Sequence, residues 1–479
     1  MFQGIDAFKK ALKADQELYV YESSVDAGEN LAGAIVRLGL DKYLAVMGDT
    51  SAFAGTMRGE IKLCPLSVEN ARALHNVFSY TKPCSHAGHP FTFGLGDRLG
   101  LATPGQLRAV EEYGVFPILA QQSIRELNLT GRTYDDVIAA ATFGVFQAGY
   151  KGGYGADGDH LKTEDEIRYA IGSGCTMITL DCSEHLNMYA ADCSEAEVDK
   201  AYAELPAEVK AHYEAGYLNQ ELPVVGKIAE NEFRRSVVMF WKAIIHAKNC
   251  YRYIEQIKTA PVDFEVSIDE TRSITTPLDH FLFASELERD GVHPTSLAPH
   301  FSGEFEKGIE YSGDLNAFAR DFEVHQKIAS HYGYKLSVHS GSDKFSVFST
   351  VGRVTGCHVH VKTAGTNWLE AVRVLAEHNP ELYRKAHKFA LEHRPEAEKY
   401  YHVSTDATEI PNIDLQNDAY LPEYLQLPAS RQTLHITYGL LLNEPWFADA
   451  FFTFMAEHEE DYYEGLRRHI GRHLEYLTK

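Results

Sequence analysis

No stretch of this 479-residue chain approaches the roughly 20 consecutive apolar residues that a membrane-spanning helix requires. No apolar run follows a basic start, so no secretory signal is read and a cytoplasmic protein is expected. Basic residues are scarce: 45 Lys and Arg stand against 68 Asp and Glu, giving a formal net charge of −23. Nucleic-acid binding needs clustered Lys and Arg to neutralise phosphates, so that class of partner is not expected. An anionic small molecule would have to meet a local positive site. The seven cysteines form no C-x-x-C pair, which argues against a disulfide framework and against a thiolate zinc site. Low-complexity linkers are also missing. What remains is an enzyme-like composition, 44% apolar and 24% charged, with length for two or three domains or one large domain with appendages.

A regular beat runs through the middle of the chain. Thr103, Thr133 and Thr163 are thirty residues apart, and each precedes an amphipathic run. Each can accept from the amide three residues on, where Gln106, Asp136 or Glu166 answers it, so each is expected to cap a helix. Thirty residues is about one strand–helix unit. Short apolar runs lie in "FTFGLGDR", "VFPILAQQS", "GGYGADGDH", "TMITLDCSEH", "DFEVSIDET", "PTSLAPHF", "KLSVHSGSD" and "CHVHVKTAG". Eight strands that mostly alternate with helices predict an α/β fold, a TIM-like (β/α)8 barrel, with an open doubly wound sheet as the alternative. The barrel is expected over 86–375, with a helical insertion at about 186–258. Before it, 1–85 reads as a small α/β segment, with "NLAGAIVRLGL" helix-like and "YLAVMGD" strand-like. After it, 376–479 reads as an aromatic-rich helical extension, covering either the barrel or a second copy of the chain.

Barrel active sites assemble where strands end. All eight runs end in polar or ionisable residues, among them Gln121, Gln122, Asp159, His160, Glu265, Asp269, His300, His339, His360 and Lys362. They read as one site. Adjacent Asp159 and His160 meet one ligand only if the backbone turns there, and otherwise cap the next helix. Glu265 faces inward, which is costly unless it is paired or metal-bound. Glu304 and Glu306 follow the sixth strand; joined to His160 and His339 they complete a nitrogen/oxygen set suited to zinc, manganese, nickel or iron. Ser340-Gly341-Ser342 offers hydroxyls and amides to an anion, with Lys344 for charge, or is a plain polar turn. Gln122, Ser340, Asp343, Lys344 and Lys362 are the expected substrate contacts. "GLGDRLG" is only a near-match to a dinucleotide motif.

On "FGLGDRLG", "FPILAQQSIRE", "GYGADGDHLK", "FEVSIDET", "FEKGIEYSGDL", "HSGSDKFSVF" and "HVKTAGT", the chain resembles the tagaturonate epimerase family over nearly its whole length. The resemblance implies a metal-dependent enzyme of hexuronate catabolism that interconverts D-tagaturonate and D-fructuronate. It further implies Asp159 as proton acceptor, Glu265 as proton donor, and His160, Glu306 and His339 as ligands of one divalent cation. Alternatives with the same ligands are a ketose 4-epimerase, a sugar isomerase, a class II-like aldolase or, without catalysis, a sugar-binding protein.

Overall fold

The computed structural model describes residues 4–86, 88–401 and 403–479. An antiparallel sheet comes first: β1 (Leu18–Val20), β2 (Asp26–Ala27), β3 (Leu31–Leu38), β4 (Asp41–Gly48), β5 (Thr56–Arg58) and β6 (Ile61–Pro65). Its order is β1-β3-β4-β6-β5, with β2 also on β3. Thus "NLAGAIVRLGL" is a strand, where the sequence suggested a helix. The reason lies in its two partners. Ala32, Ala34 and Val36 pack with Phe8 and Leu12 on one face, while Leu31 and Ile35 pack with Phe78 and Phe146 on the other. A strand buried on both faces loses its alternation of apolar and polar residues and looks like a buried helix. Gly39, at φ +64°, makes the tight turn into β4.

The eight expected runs all form strands: β7 (Phe91–Gly94), β8 (Phe116–Ser123), β9 (Gly155–Leu161), β10 (Met177–Asp181), β11 (Asp263–Ile268), β12 (Ser296–Pro299), β13 (Lys335–Val338) and β14 (Val359–Lys362). They pair in parallel and in chain order, and β14 returns to β7 to close the barrel. Outward residues such as Ile178, Val266, Leu336 and Val361 join the core beneath the helices. The inward set is unusually polar: Thr92, Asp157, Thr179, Glu265, Ser296, His360 and Lys362 are all buried. Buried polar groups must satisfy one another, so this interior specifies a network rather than an oil-like plug.

Thr133, Thr163 and Thr276 each close a reciprocal capping box. Thr103 does not. It already lies in the helix Thr103–Tyr113, makes no cap, and packs against Gly144, where a Cβ would come within 2.5 Å of its own Cβ. Between β10 and β11 the chain forms four helices, the last of them the 28-residue Glu230–Ile257, which packs against Glu164–Ser173 and Pro277–Arg289 in the outer ring. The C-terminal helix Glu459–Thr478 packs against Thr103–Tyr113, Phe345–Thr355 and Thr366–His378, so it covers the barrel of its own chain. All seven cysteines are free, and no helix is long and apolar enough to cross a membrane among the described residues.

Candidate active site

A cavity of about 560 Å³ opens over the C-terminal ends of the strands. At its floor Lys362 Nζ donates to Asp157 Oδ2 at 2.8 Å, Asp159 Oδ1 at 2.7 Å and Thr179 Oγ1 at 2.5 Å, and lies 2.9 Å from Glu265 Oε1. Glu265 also accepts from Ser296 Oγ at 2.5 Å and pairs with His339 Nε2 at 2.8 Å. Period two aims Asp157 and Asp159 inward from one strand, while Gly158 faces out against Ala170, where a Cβ would come within 2.8 Å. His160 should then face away. Its left-handed backbone, φ +55°, instead turns it back beside Asp159, with Nδ1 2.8 Å from Oδ1. The two imidazoles, His160 and His339, lie 5.0 Å apart between ring centres.

These charges set one another. Burial opposes ionisation of Asp159, but Lys362 and then His160 hold its carboxyl well below the usual range. Burial likewise opposes Glu265, which Lys362 and His339 hold well below normal. Asp157, fully buried, is pushed up to about 6 by burial despite the same lysine. His339 pays a burial penalty that Asp269 and Glu265 outweigh, so it is pushed up to about 10.

The donors available to a cation are His160, His339 and Asp269, whose ligand atoms lie within 4.8 Å of one another. His339 Nδ1 is buried without a hydrogen-bond partner and sits 3.1 Å from Asp269 Oδ2. Two imidazoles and a carboxylate are a set that divalent transition metals accept, so the residues fit one. Glu306 lines the same cavity, but its Oε2 accepts from Ser404 N and Gln432 Nε2, both at 2.9 Å. Asp269, expected only on the inward side, stands nearer the imidazoles' cluster.

Several expected substrate contacts go elsewhere. Ser340 and Lys362 line the cavity. Lys344 does not: its ammonium is spent on the carbonyls of Glu306 (2.8 Å), Ile309 (2.5 Å) and Ser342 (2.9 Å). Three carbonyls saturate three N–H donors, so it fastens the loop that carries Glu306. Asp343 turns to Arg431 at 2.7 Å and His469 at 3.1 Å, away from the cavity, because its own left-handed backbone reverses the chain. Gln121 lines the cavity in place of Gln122, whose Oε1 faces Arg132 on the other side of the same strand. The glycine motif is closed to a phosphate: Asp97 already accepts from the amides of Leu99, Gly100 and Ala102. Missed altogether were Asp157, signalled by its two-residue spacing from Asp159, and His435, for which sequence held no pattern; Lys307 stood out only as the neighbour of Glu306 and was given no role.

Fold and site together define a (β/α)8-barrel enzyme with buried ionisable groups and candidate cation donors at one mouth. The profile of the tagaturonate epimerase family, UxaE, matches residues 21–477. The tagaturonate/fructuronate epimerase of Thermotoga maritima is 39% identical over 469 residues, covering 96% of each chain. The native structure of the fructuronate-tagaturonate epimerase UxaE from Cohnella laeviribosi is 47% identical, covers 99% of each chain and superposes with a TM-score of 0.95. A structure of that enzyme with one glycerol bound matches equally well, covering 98% of this chain and 99% of that one. The chain belongs to the tagaturonate epimerase family.

Proposed function

We propose that this protein interconverts D-tagaturonate and D-fructuronate by inverting carbon 3, counted from the carboxylate, with the ketone at carbon 5. The observation that carries the reading is the Asp159–Lys362–Glu265 bridge, set beside the His160, His339 and Asp269 donors. The C3 hydrogen is α to neither carbonyl group, so its removal has no adjacent electron sink. Cleaving C3–C4 has one. Asp159, ionised at neutral pH, takes the proton of the C3 hydroxyl; the C3–O pair becomes an aldehyde and the C3–C4 pair passes into a C4–C5 enediolate. The aldehyde turns over, C4 re-adds to its other face, and the new alkoxide at C3 recovers the proton. Lys362 donates to Asp159 and lies 2.9 Å from Glu265, so a proton accepted at Asp159 reaches Glu265 through one ammonium, and Glu265 returns it. His160, His339 and Asp269, or Glu306 in place of Asp269, would hold the cation. The chemistry a divalent cation supplies there is Lewis-acid stabilisation of charge developing on the keto oxygen.

The test is NMR of the purified protein with D-fructuronate and a divalent cation in deuterated water. D-Tagaturonate without deuterium at C3 is expected. An aldose or a released aldehyde as product would replace this reading with isomerase or aldolase chemistry, and stoichiometric deuterium at C3 would remove the retro-aldol step.

A further inference from the structure

The substrate of this proposed reaction carries a permanent negative charge, yet the acid–base floor is itself crowded with carboxylates. Something else must receive the anionic end. Five Lys and Arg side chains line the cavity, and three are already paired with carboxylates. Arg98 pairs with Glu126 at 2.6 Å. Lys162 lies 3.1 Å from Glu184 and 3.4 Å from Asp181. Lys362 is held by its three carboxylates. Lys307 and Arg125 line the same cavity, and among the described residues neither has a carboxylate in ion-pair range.

Beside them stands a third group without an assigned task. His435, from the helix Pro428–Ile436, is 1% exposed and lines the cavity, and both of its ring nitrogens are buried without a hydrogen-bond partner. A buried imidazole that makes no hydrogen bond costs stability unless a ligand or water completes it. Space for it is built in. A Cβ at Gly365 would lie 2.1 Å from His435 Cε1, and one at Gly308 would lie 3.1 Å from Cγ. These are the glycines of "HVKTAGT" and "FEKGIEYSGDL". Burial first, then Arg98, Lys307 and Arg431, keep the ring neutral, well below the ordinary His range, so it offers one donor and one acceptor.

The loop carrying Lys307 is fixed before any ligand arrives. Lys344 holds the carbonyls of Glu306 and Ile309, Arg431 Nε donates to Gly308 O at 2.8 Å, and Gln432 Nε2 donates to Lys307 O at 3.3 Å. Thus the C-terminal extension both clamps the loop and supplies His435. We propose that Lys307, Arg125 and His435 form the subsite for the substrate's carboxylate and select acidic keto sugars over neutral ones. This rests on the uronate reading above. Preorganised charge-assisted hydrogen bonds to a carboxylate are the strong kind, and they hold substrate equally before and during reaction.

The experiment pairs kinetics with direct binding. Lys307→Met, Lys307→Arg and His435→Gln proteins, loaded with the divalent cation, are assayed on both uronates. Calorimetry then compares D-gluconate with D-glucitol, its uncharged counterpart. Lys307→Met is expected to raise KM for both uronates about 10- to 100-fold with a much smaller fall in kcat, and to lose gluconate binding while glucitol is unaffected. Lys307→Arg should recover part of both losses, which a merely misfolded loop would not. His435→Gln should raise KM by a smaller factor. An unchanged KM together with wild-type gluconate affinity in Lys307→Met would overturn the subsite. A wild-type protein that binds gluconate through Lys307 but turns over neither uronate would leave the subsite standing and remove the proposed reaction.

Discussion

Replacing Lys362 with Met removes the ammonium that Asp157, Asp159 and Glu265 share. Its contacts of 2.7–2.9 Å with three carboxylates, at 4% side-chain exposure, make it a buried ion cluster. Deleting one partner of such a cluster leaves charge uncompensated, at a cost of roughly 3–5 kcal/mol. Divided by the unfolding entropy of a chain of this size, that is a fall in Tm of about 3–5 °C at pH 7.5. The pH dependence should also reverse. In the parent, Asp159 and Glu265 are depressed in the folded state, so they add stability above the unfolded carboxylate range that is lost as pH falls. Without Lys362, burial, the largest influence on both groups, is expected to outweigh His160 and His339 and raise those same carboxyls, so that their contribution becomes stability that is present at low pH and lost as pH rises. Lys362→Met, freed of metal by chelation, should therefore gain on the parent between pH 7.5 and pH 5, read by denaturant unfolding. Turnover should fall by about 10²-fold or more, since the bridge between base and acid is gone. A variant with the parent's stability at pH 7.5 and the parent's pH slope would refute the reasoning, because the cluster would then not be a charged one.

Asp159→Asn and Glu265→Gln should each retain the cation by elemental analysis and lose turnover by about 10²-fold or more; near-normal kcat in either removes that residue from proton transfer. His160→Ala and His339→Ala should lose bound cation and activity together while remaining folded. Comparing cation affinity in Asp269→Asn and Glu306→Gln decides which carboxylate is the third ligand. His387 is buried against Ser430 and its imidazole is held down to about 4 by burial, from an ordinary 6.5. Its depressed folded pKa means stability that is complete above about 6.5 and declines as pH falls, by roughly 2 kcal/mol between pH 7 and pH 5. His387→Gln should flatten that part of the unfolding profile, and an unaltered slope would show the ring is protonated in the fold.

The barrel itself was legible in the one-dimensional chain because its signals are local. Each strand is a short apolar run that ends in polar residues, and Thr133, Thr163 and Thr276 meet their capping partners three residues away, within one turn. Thr103 carries the same pattern and caps nothing, since its side chain is taken by packing against Gly144 on another helix. Leu31–Leu38 read as helix-like and is a strand, for a related reason: partners on both faces erase the periodicity that separates strand from helix. At the site, inward-facing Asp159, Glu265 and Lys362 were readable from strand ends and period two. Their shared contact was not, because it joins β9, β11 and β14 across the barrel's closure. Asp343 and Lys344 look like ligand groups in "HSGSDKFS", but left-handed backbone at Ser340 and Asp343 sends them to Arg431 and to the carbonyls of the 306–309 loop. His435 and Lys307 share a wall only because the C-terminal helices fold back over the barrel mouth. Local composition determines which elements form and which of their ends are polar. Which polar ends meet, and which cations are left without a carboxylate among the described residues, is decided by long-range closure alone.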